Sequence, residues 1–335
     1  MATIKDVAKL AGVSISTASY ALNGNEKISE ATKKKVLEAA KKLKYKPNQF
    51  AKNLKQVKND FIAVVLNEAF GPFYDNLIKG IQDSASLAGY DIIIFLESGL
   101  TKKTLINFFK QKIIKGTIIM SSTITNDEID EISKEKIPII LLDRKCKNLN
   151  ASSVLIDNEK GAYLATKHLI ELNHKKIAFI SGPKDSFDNN QRLKGYKKAL
   201  KEFNIPYNHS LIIKGDFTEK SGYESVKKFI NKTKEIPSAF FSSNDEMAIG
   251  ALKAFEELNL KVPEDISLVG FDDIKELNYI EPKLTTIKRP MYELGSHSAH
   301  LLFNLIQGRS SNTNLLLDVN LIIRNSTARY KGDRK

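Results

Sequence analysis

The chain has 335 residues, 42% of them hydrophobic and 27% charged, with a net charge of +13, one cysteine and no tryptophan. This is long enough for a small head and a two-lobed body. A lone cysteine, Cys146, excludes an intrachain disulfide and fits a reducing cytoplasm, while the absence of an apolar run near the roughly 20 residues of a membrane span, or of a signal-type apolar core at the N-terminus, excludes a membrane partner.

Residues Thr3 to Gly12 read as a short helix. Thr3 is the N-cap, Asp6 completes a capping box three residues later, Ile4, Val7, Ala8 and Ala11 share one face, and Gly12 suits the left-handed residue that ends such a helix. Ser14 caps a second helix that runs from Ile15 toward Asn23. Two short helices joined by so tight a turn make a helix-turn-helix, whose second helix enters the DNA major groove. A third helix, capped by Ser29 with Glu30 in its first turn, runs to about Leu43 with Val36, Leu37, Ala40 and Leu43 as its packing face. Residues 1–58 hold 13 lysines, no arginine and 4 acids, a net of +9, which leaves +4 for the remainder. An excess placed in this way suits phosphate neutralisation, although any one lysine of the third helix reads equally well as solvated surface.

The pattern Asp6-Val7-Ala8-x-x-Ala11-Gly12-Val13-Ser14-x-x-Thr17-x-Ser19-x-x-Leu22-Asn23, followed by Lys44-Tyr45-x-Pro47-Asn48-x-x-Ala51-x-x-Leu54, resembles the lactose-repressor (LacI/GalR) family of bacterial transcription regulators. The resemblance implies that Ile15, Ser16 and Tyr20 sit at recognition positions that touch base edges, with Thr3, Ser14, Thr17, Ser19, Asn23 and Ser29 also at the DNA. Many members carry Arg where this chain has Tyr20. Tyrosine offers one hydroxyl and a ring face, so the base it meets should differ from the family's usual half-site. The other reading packs Tyr20 against the third helix.

Residues 47–60 form a linker with too little apolar surface to fold alone, and an isolated helix of that length is marginal in water. The resemblance implies a hinge helix that orders on operator DNA, pairs with its dimer mate in the minor groove and pushes Leu54 between central base pairs. Unstacking a step costs roughly a few kcal/mol, offset by the bend and added contacts. Asn48, Ala51, Lys52 and Lys55 would lie along the DNA, with Lys52 where Arg is frequent.

From residue 61, strands alternate with helices. The strands expected are Phe61–Leu66, Asp91–Leu96, Gly116–Met120, Ile137–Leu142, Ser153–Ile156, Lys176–Ile180, Leu211–Lys214, Ala239–Ser242 and Ile266–Phe271. Such short, near-continuous apolar strands predict parallel sheets covered on both faces. Ile62-Ala63 before Gly80 and Ile177-Ala178 before Gly195 repeat at a constant offset of 115 residues, which predicts two similar lobes. The fold expected is a small all-α helix-turn-helix head (1–46), a hinge and linker (47–60), and an α/β body of two parallel-sheet lobes (61–335). The first lobe takes about 61–157 plus 288–320, and the second about 158–287 plus 321–335.

Ligands of such sheets bind beyond the C-terminal strand ends, which between two lobes is a cleft. Phe73 and Tyr74 follow the first strand and suit stacking on a sugar ring, while Arg192, Asn244 and Asp272 follow strands of the second lobe and suit hydroxyl recognition. Together with Phe217, these again resemble LacI/GalR proteins and, for the body, ribose-type periplasmic binding proteins of type I. The resemblance implies Phe73, Tyr74, Arg192, Phe217, Asn244 and Asp272 as effector contacts, with the strand-end residues Ser121 and Asp143 beside them. Against this stand plainer readings: a surface charge for Arg192, a turn for Asp272, core for the two phenylalanines.

Purine-responsive members carry an additional Arg in the loop occupied here by Lys184-Asp185-Ser186-Phe187-Asp188, and global catabolite regulators carry Arg where this chain has His300. A neutral sugar is the expected effector class. No nucleophile triad, Walker loop, paired-acid motif or Cys/His ligand spacing stands out, so neither an enzyme nor a cofactor or metal is expected. The sequence reads as a homodimeric repressor of a carbohydrate operon, bound to double-stranded palindromic operator DNA and released by a small sugar. A corepressor-dependent or activating regulator of the same fold, or a sugar-binding module without gene control, are the alternatives.

Overall fold

The computed structural model describes residues 3–22, 28–43, 45, 60–67, 72–97, 102–111, 113–121, 124–145, 151–309, 311 and 313–332. Contacts divide the chain into two units, Met1–Asn59 and Asp60–Lys335.

The first unit holds three helices, α1 (Ile4–Ala11), α2 (Ile15–Leu22) and α3 (Glu30–Lys42). The Thr3 amide donates to Asp6 Oδ2 at 2.8 Å, and both this bond and the Thr3 hydroxyl hold the Asp6 carboxyl below its usual pKa. Gly12 ends α1 at φ 67°, a backbone value that glycine adopts without penalty. Ser14 Oγ accepts from Thr17 N at 3.1 Å and Ser29 Oγ from Thr32 N at 3.3 Å, so both expected caps form. Val7, Ala8, Ala18, Ala21, Val36, Ala39 and Ala40 are the buried core. These mostly small side chains let the helices approach closely. Leu37 is 54% exposed, contrary to the expected packing face: the stripe set by Val36 continues at Ala39 and Ala40, and Leu37 lies about 100° around from it.

The second unit contains two six-stranded sheets. The first is ordered β11-β5-β4-β3-β1-β2 and is wholly parallel, comprising β1 (Phe61–Leu66), β2 (Asp91–Leu96), β3 (Ile114–Met120), β4 (Ile139–Leu142), β5 (Ser152–Ile156) and β11 (Asn314–Leu317). The second is ordered β12-β10-β9-β8-β6-β7, comprising β6 (Ile177–Ser181), β7 (Ile212–Lys214), β8 (Ala239–Ser242), β9 (Ser267–Asp272), β10 (Thr285–Lys288) and β12 (Asn320–Ile322); only the β10–β12 pairing is antiparallel. Strands β10, β11 and β12 are additions to the set expected from sequence. Each has only three or four residues, and β11 is an edge strand with its first three residues exposed, so none shows the long apolar run that marks a buried strand.

The chain crosses between sheets three times, after β5, β10 and β11. Two of these crossings make the lobes alike. After β5, α7 (Asn158–Glu171) enters the second lobe and packs on its first helix, α8 (Phe187–Glu202); after β10, α11 (Met291–Ile306) enters the first lobe and packs on its first helix, α4 (Pro72–Ala88). Gly80 of α4 and Gly195 of α8 are the contact points. An added Cβ would lie 2.1 Å from Tyr292 O at Gly80 and 2.1 Å from Glu159 O at Gly195. The repeat at offset 115 therefore marks the same helix crossing twice.

Candidate functional site

Both sheets direct their C-terminal strand ends toward a common set of charged side chains. Asp143 follows β4, Asp272 ends β9, Asp188 and Arg192 lie in the first turns of α8, and Arg289 follows β10. Arg289 Nη2 donates to Asp143 Oδ2, and Arg289 Nη1 to Asp272 Oδ1 at 3.3 Å. Arg192 Nη2 lies 3.6 Å from both Asp272 Oδ1 and Asp188 Oδ2, its Nε donates to Asn158 Oδ1 at 2.8 Å, and its Nη1 donates to the Ser243 carbonyl. Its guanidinium stacks 3.9 Å above the Phe271 ring and 5.9 Å from the Phe217 ring. Arg192 is 2% exposed, which rules out the reading as a surface charge.

Burial sets the electrostatics. It lowers the pKa of Arg192 and raises that of Asp272; burial and then repulsion from Asp143 push Asp188 up to about 7. Burial works against the Arg289 cation, yet Asp143, Asp188 and Asp272 together raise its pKa. Beneath this layer Asp245, fully buried, accepts from Thr286 Oγ1 at 2.7 Å and Ile274 N at 3.1 Å, and burial with Asp272 nearby raises it to about 7. Asp245 thereby pins the loop that follows β9.

Asp143 (φ 48°), Phe217 (φ 75°), Asp272 (φ 122°) and Asp273 (φ 59°) all take left-handed backbone conformations. Residues other than glycine are held there only where surroundings determine the geometry, and such residues gather at binding sites. Among the described residues, the buried atoms Glu97 Oε1, Asp143 Oδ1 and Ser243 Oγ have no hydrogen-bond partner. Buried polar atoms are nearly always paired, so these oxygens at strand ends are open to a donor from water or from a ligand.

The remaining expected contacts are placed differently. Ser121 Oγ donates to Glu97 Oε2 at 2.6 Å and accepts from Ile124 N at 3.1 Å. Asn244 caps α10 (Asp245–Glu257) through Met247 N at 3.0 Å and donates to Phe217 O at 2.8 Å, which fixes the aromatic. Tyr74 is half-buried against the core of its lobe. In the head, Ser14, Ser16, Ser29 and Thr3 are exposed, Thr17 and Ser19 half-buried, Ile15 is 47% exposed and Tyr20 53%, so Tyr20 is not core. Asn23, Asn48, Ala51, Lys52, Leu54 and Lys55 lie outside the described residues, as does the side chain of Phe73.

Residues 3–48 match the bacterial regulatory proteins of the lacI family, and residues 166–327 match the periplasmic binding protein-like domain. Catabolite control protein A of Priestia megaterium is 36% identical over 90% of this chain and 91% of its own. The chain belongs to the lacI family of bacterial regulatory proteins. Among solved structures, a LacI-family regulator from Enterococcus faecium with bound ribose is 31% identical, with a TM-score of 0.74, over 81% of this chain and all of that one. The lac repressor dimer bound to operator and an anti-inducer is 29% identical, with a TM-score of 0.73, over 98% of this chain and 99% of that one.

Two residues of this LacI-family cleft escape sequence reasoning, Arg289 and Asp188. Arg289 sits in Lys288-Arg289-Pro290, which reads as an exposed charge pair at a strand end, and no spacing rule distinguishes the buried arginine from the exposed lysine. Asp188 lies four residues before Arg192, the helical interval at which opposite charges meet, and that signal was available. Among the described residues, no group of three or more His, Cys, Asp and Glu is placed to hold a metal ion, and no helix is long and apolar enough to cross a membrane.

Proposed function

We propose that the protein represses carbohydrate-utilisation genes as a homodimer, and that a small uncharged sugar in the cleft releases it from a palindromic operator. The observation that carries the reading is the set Asp143, Arg192, Asp272 and Arg289 gathered at the strand ends of both lobes, with Asp143 Oδ1 buried and unpaired among them. Carboxylates accept from sugar hydroxyls and guanidinium groups donate to them, so alternating acids and arginines suit a polyol. Asp143 and Asp272 face the two guanidinium groups, and Asp188, raised to about 7, adds a partly protonated acid, so the set holds no surplus of positive charge for a ligand carrying phosphate or carboxylate. The relative holding ribose has the same fold as this body, and the lac repressor on operator as a dimer has that of the whole chain.

In this reading residues 1–46 bind half-sites, residues 47–60 form the hinge with Leu54 inserted between base pairs, and residues 61–335 bind effector and partner. Lobe rearrangement in the dimer alters whether the two hinges can meet. Coupling of this kind is typically about 1–3 kcal/mol, roughly 5–150-fold in operator affinity.

The test is anisotropy of a labelled palindromic fragment from the protein's own upstream region, at fixed salt, with and without a panel of pentoses, hexoses, disaccharides, sugar phosphates and purines. Weaker binding with one neutral sugar is expected, whereas tighter binding makes that sugar a corepressor. A response to purines or sugar phosphates alone refutes the effector class.

A further inference from the structure

Arg289 stands at the second crossing between lobes, between β10 and α11, with its side chain 1% exposed. One guanidinium reaches both lobes: Nη2 bonds Asp143, at the end of β4 in the first sheet, and Nη1 lies 3.3 Å from Asp272, at the end of β9 in the second, and 3.8 Å from Asp188. Opening the cleft would part Arg289 from the acids of one lobe, giving up one side of an ion-pair network whose members are largely buried in the closed state. Lys275 and Asp75 also join the lobes, at 3.1 Å, but their side chains are 60% and 55% exposed, where such pairs contribute little.

We propose that Arg289 is an internal latch that holds the two lobes closed through its shared grip on Asp143 and Asp272, so that closure needs no bound effector. A rigid planar fork with several donors holds two carboxylates in a fixed geometry, which the compact, flexibly tethered ammonium of lysine does less well. The regulatory consequence alone rests on the effector reading of the same cleft. A sugar then acts on lobes already drawn together, exchanging its hydroxyls for the contacts of Arg289 instead of pulling the lobes closed.

The experiment reads lobe separation in the full chain, free of ligand, so that latch and effector readings fail independently. Spin labels go on the exposed positions Asp127, at the start of the helix after β3, and Lys184, in the loop after β6, with Cys146→Ser and dilution into unlabelled protein. The unsubstituted pair should give one narrow, short distance. Arg289→Gln should shift it to a longer, broader distribution, as should Asp143→Asn, which approaches the same bond from the other side and stands in if the first variant folds poorly. The two together should open the cleft no further than either alone, and Lys275→Gln should leave the distance unchanged. A long distance in the unsubstituted chain, an unaltered distance in both Arg289→Gln and Asp143→Asn, or an opening by Lys275→Gln equal to theirs overturns the latch.

Discussion

Asp188 shows how a single buried acid makes the cleft sensitive to pH. Its folded pKa of about 7 lies well above the roughly 3.9 of an unfolded aspartate, so between those values the folded chain holds a proton that the unfolded chain has released. Stability from this group is fully present below about pH 4 and is lost as pH rises through 7. Asp245 is raised into the same range and contributes in the same direction. Asp188→Asn should therefore flatten the fall in stability between pH 5 and 8 without abolishing it, by on the order of 1–2 kcal/mol given a side chain 17% exposed. Urea denaturation at the two pH values checks this, and an unchanged difference between them removes Asp188 from the account. At the DNA end, Tyr20 is 53% exposed and lies outside the head's core, so Tyr20→Arg should leave the fold intact and change base preference at one position of each half-site. A binding-site selection profile identical to that of the unsubstituted protein would show that Tyr20 reads no base. Arg192 and Asp272 were legible as cleft candidates because each lies at or soon after a second-lobe strand and carries a side chain suited to hydroxyls. Arg289 was not, since its meaning depends on Asp143, a residue 146 positions away.

Among the elements, the repeated helix crossings carry the stability argument. At Gly195 a Cβ would meet Glu159 O at 2.1 Å and Tyr163 N at 2.8 Å, both backbone atoms of α7 that no rotamer change can move. Gly195→Ala must push α7 from α8, and overpacking of this kind costs about 1–3 kcal/mol or somewhat more. A melting midpoint lower by several degrees is expected, and Gly80→Ala should behave alike because α4 and α11 meet in the same way. A midpoint within about a degree of the parent for both would mean that the helices pack more loosely than these contacts indicate. From sequence the internal repeat announced two similar lobes but not this crossing; the glycine that both copies keep at the same distance from an apolar strand shows its purpose only in the structure. Strands β10 to β12 gave no such signal. They are short, and their pairing is set by where the chain crosses between lobes, which depends on contacts distant in sequence.

For the whole molecule, the division into a head unit with its own core and a body that holds the cleft makes regulation a question of free energy exchanged between separate sites. Such exchange is reciprocal. If a sugar weakens operator binding by some factor, operator must weaken sugar binding by the same factor, whatever path connects the sites. Titrating the effector sugar into protein saturated with operator should thus give an affinity lower by the factor seen when operator is titrated with saturating sugar, within the roughly 5–150-fold range typical of coupled sites. Residues 60–335 alone, which keep both sheets and every described cleft residue, should bind the sugar with the free protein's affinity and ignore operator altogether. Unequal factors in the two titrations would mean that a third equilibrium, such as dissociation of the dimer, takes part. Repeating both titrations across a range of protein concentration would then decide the matter, because lobe rearrangement within a fixed dimer is independent of concentration and subunit dissociation is not.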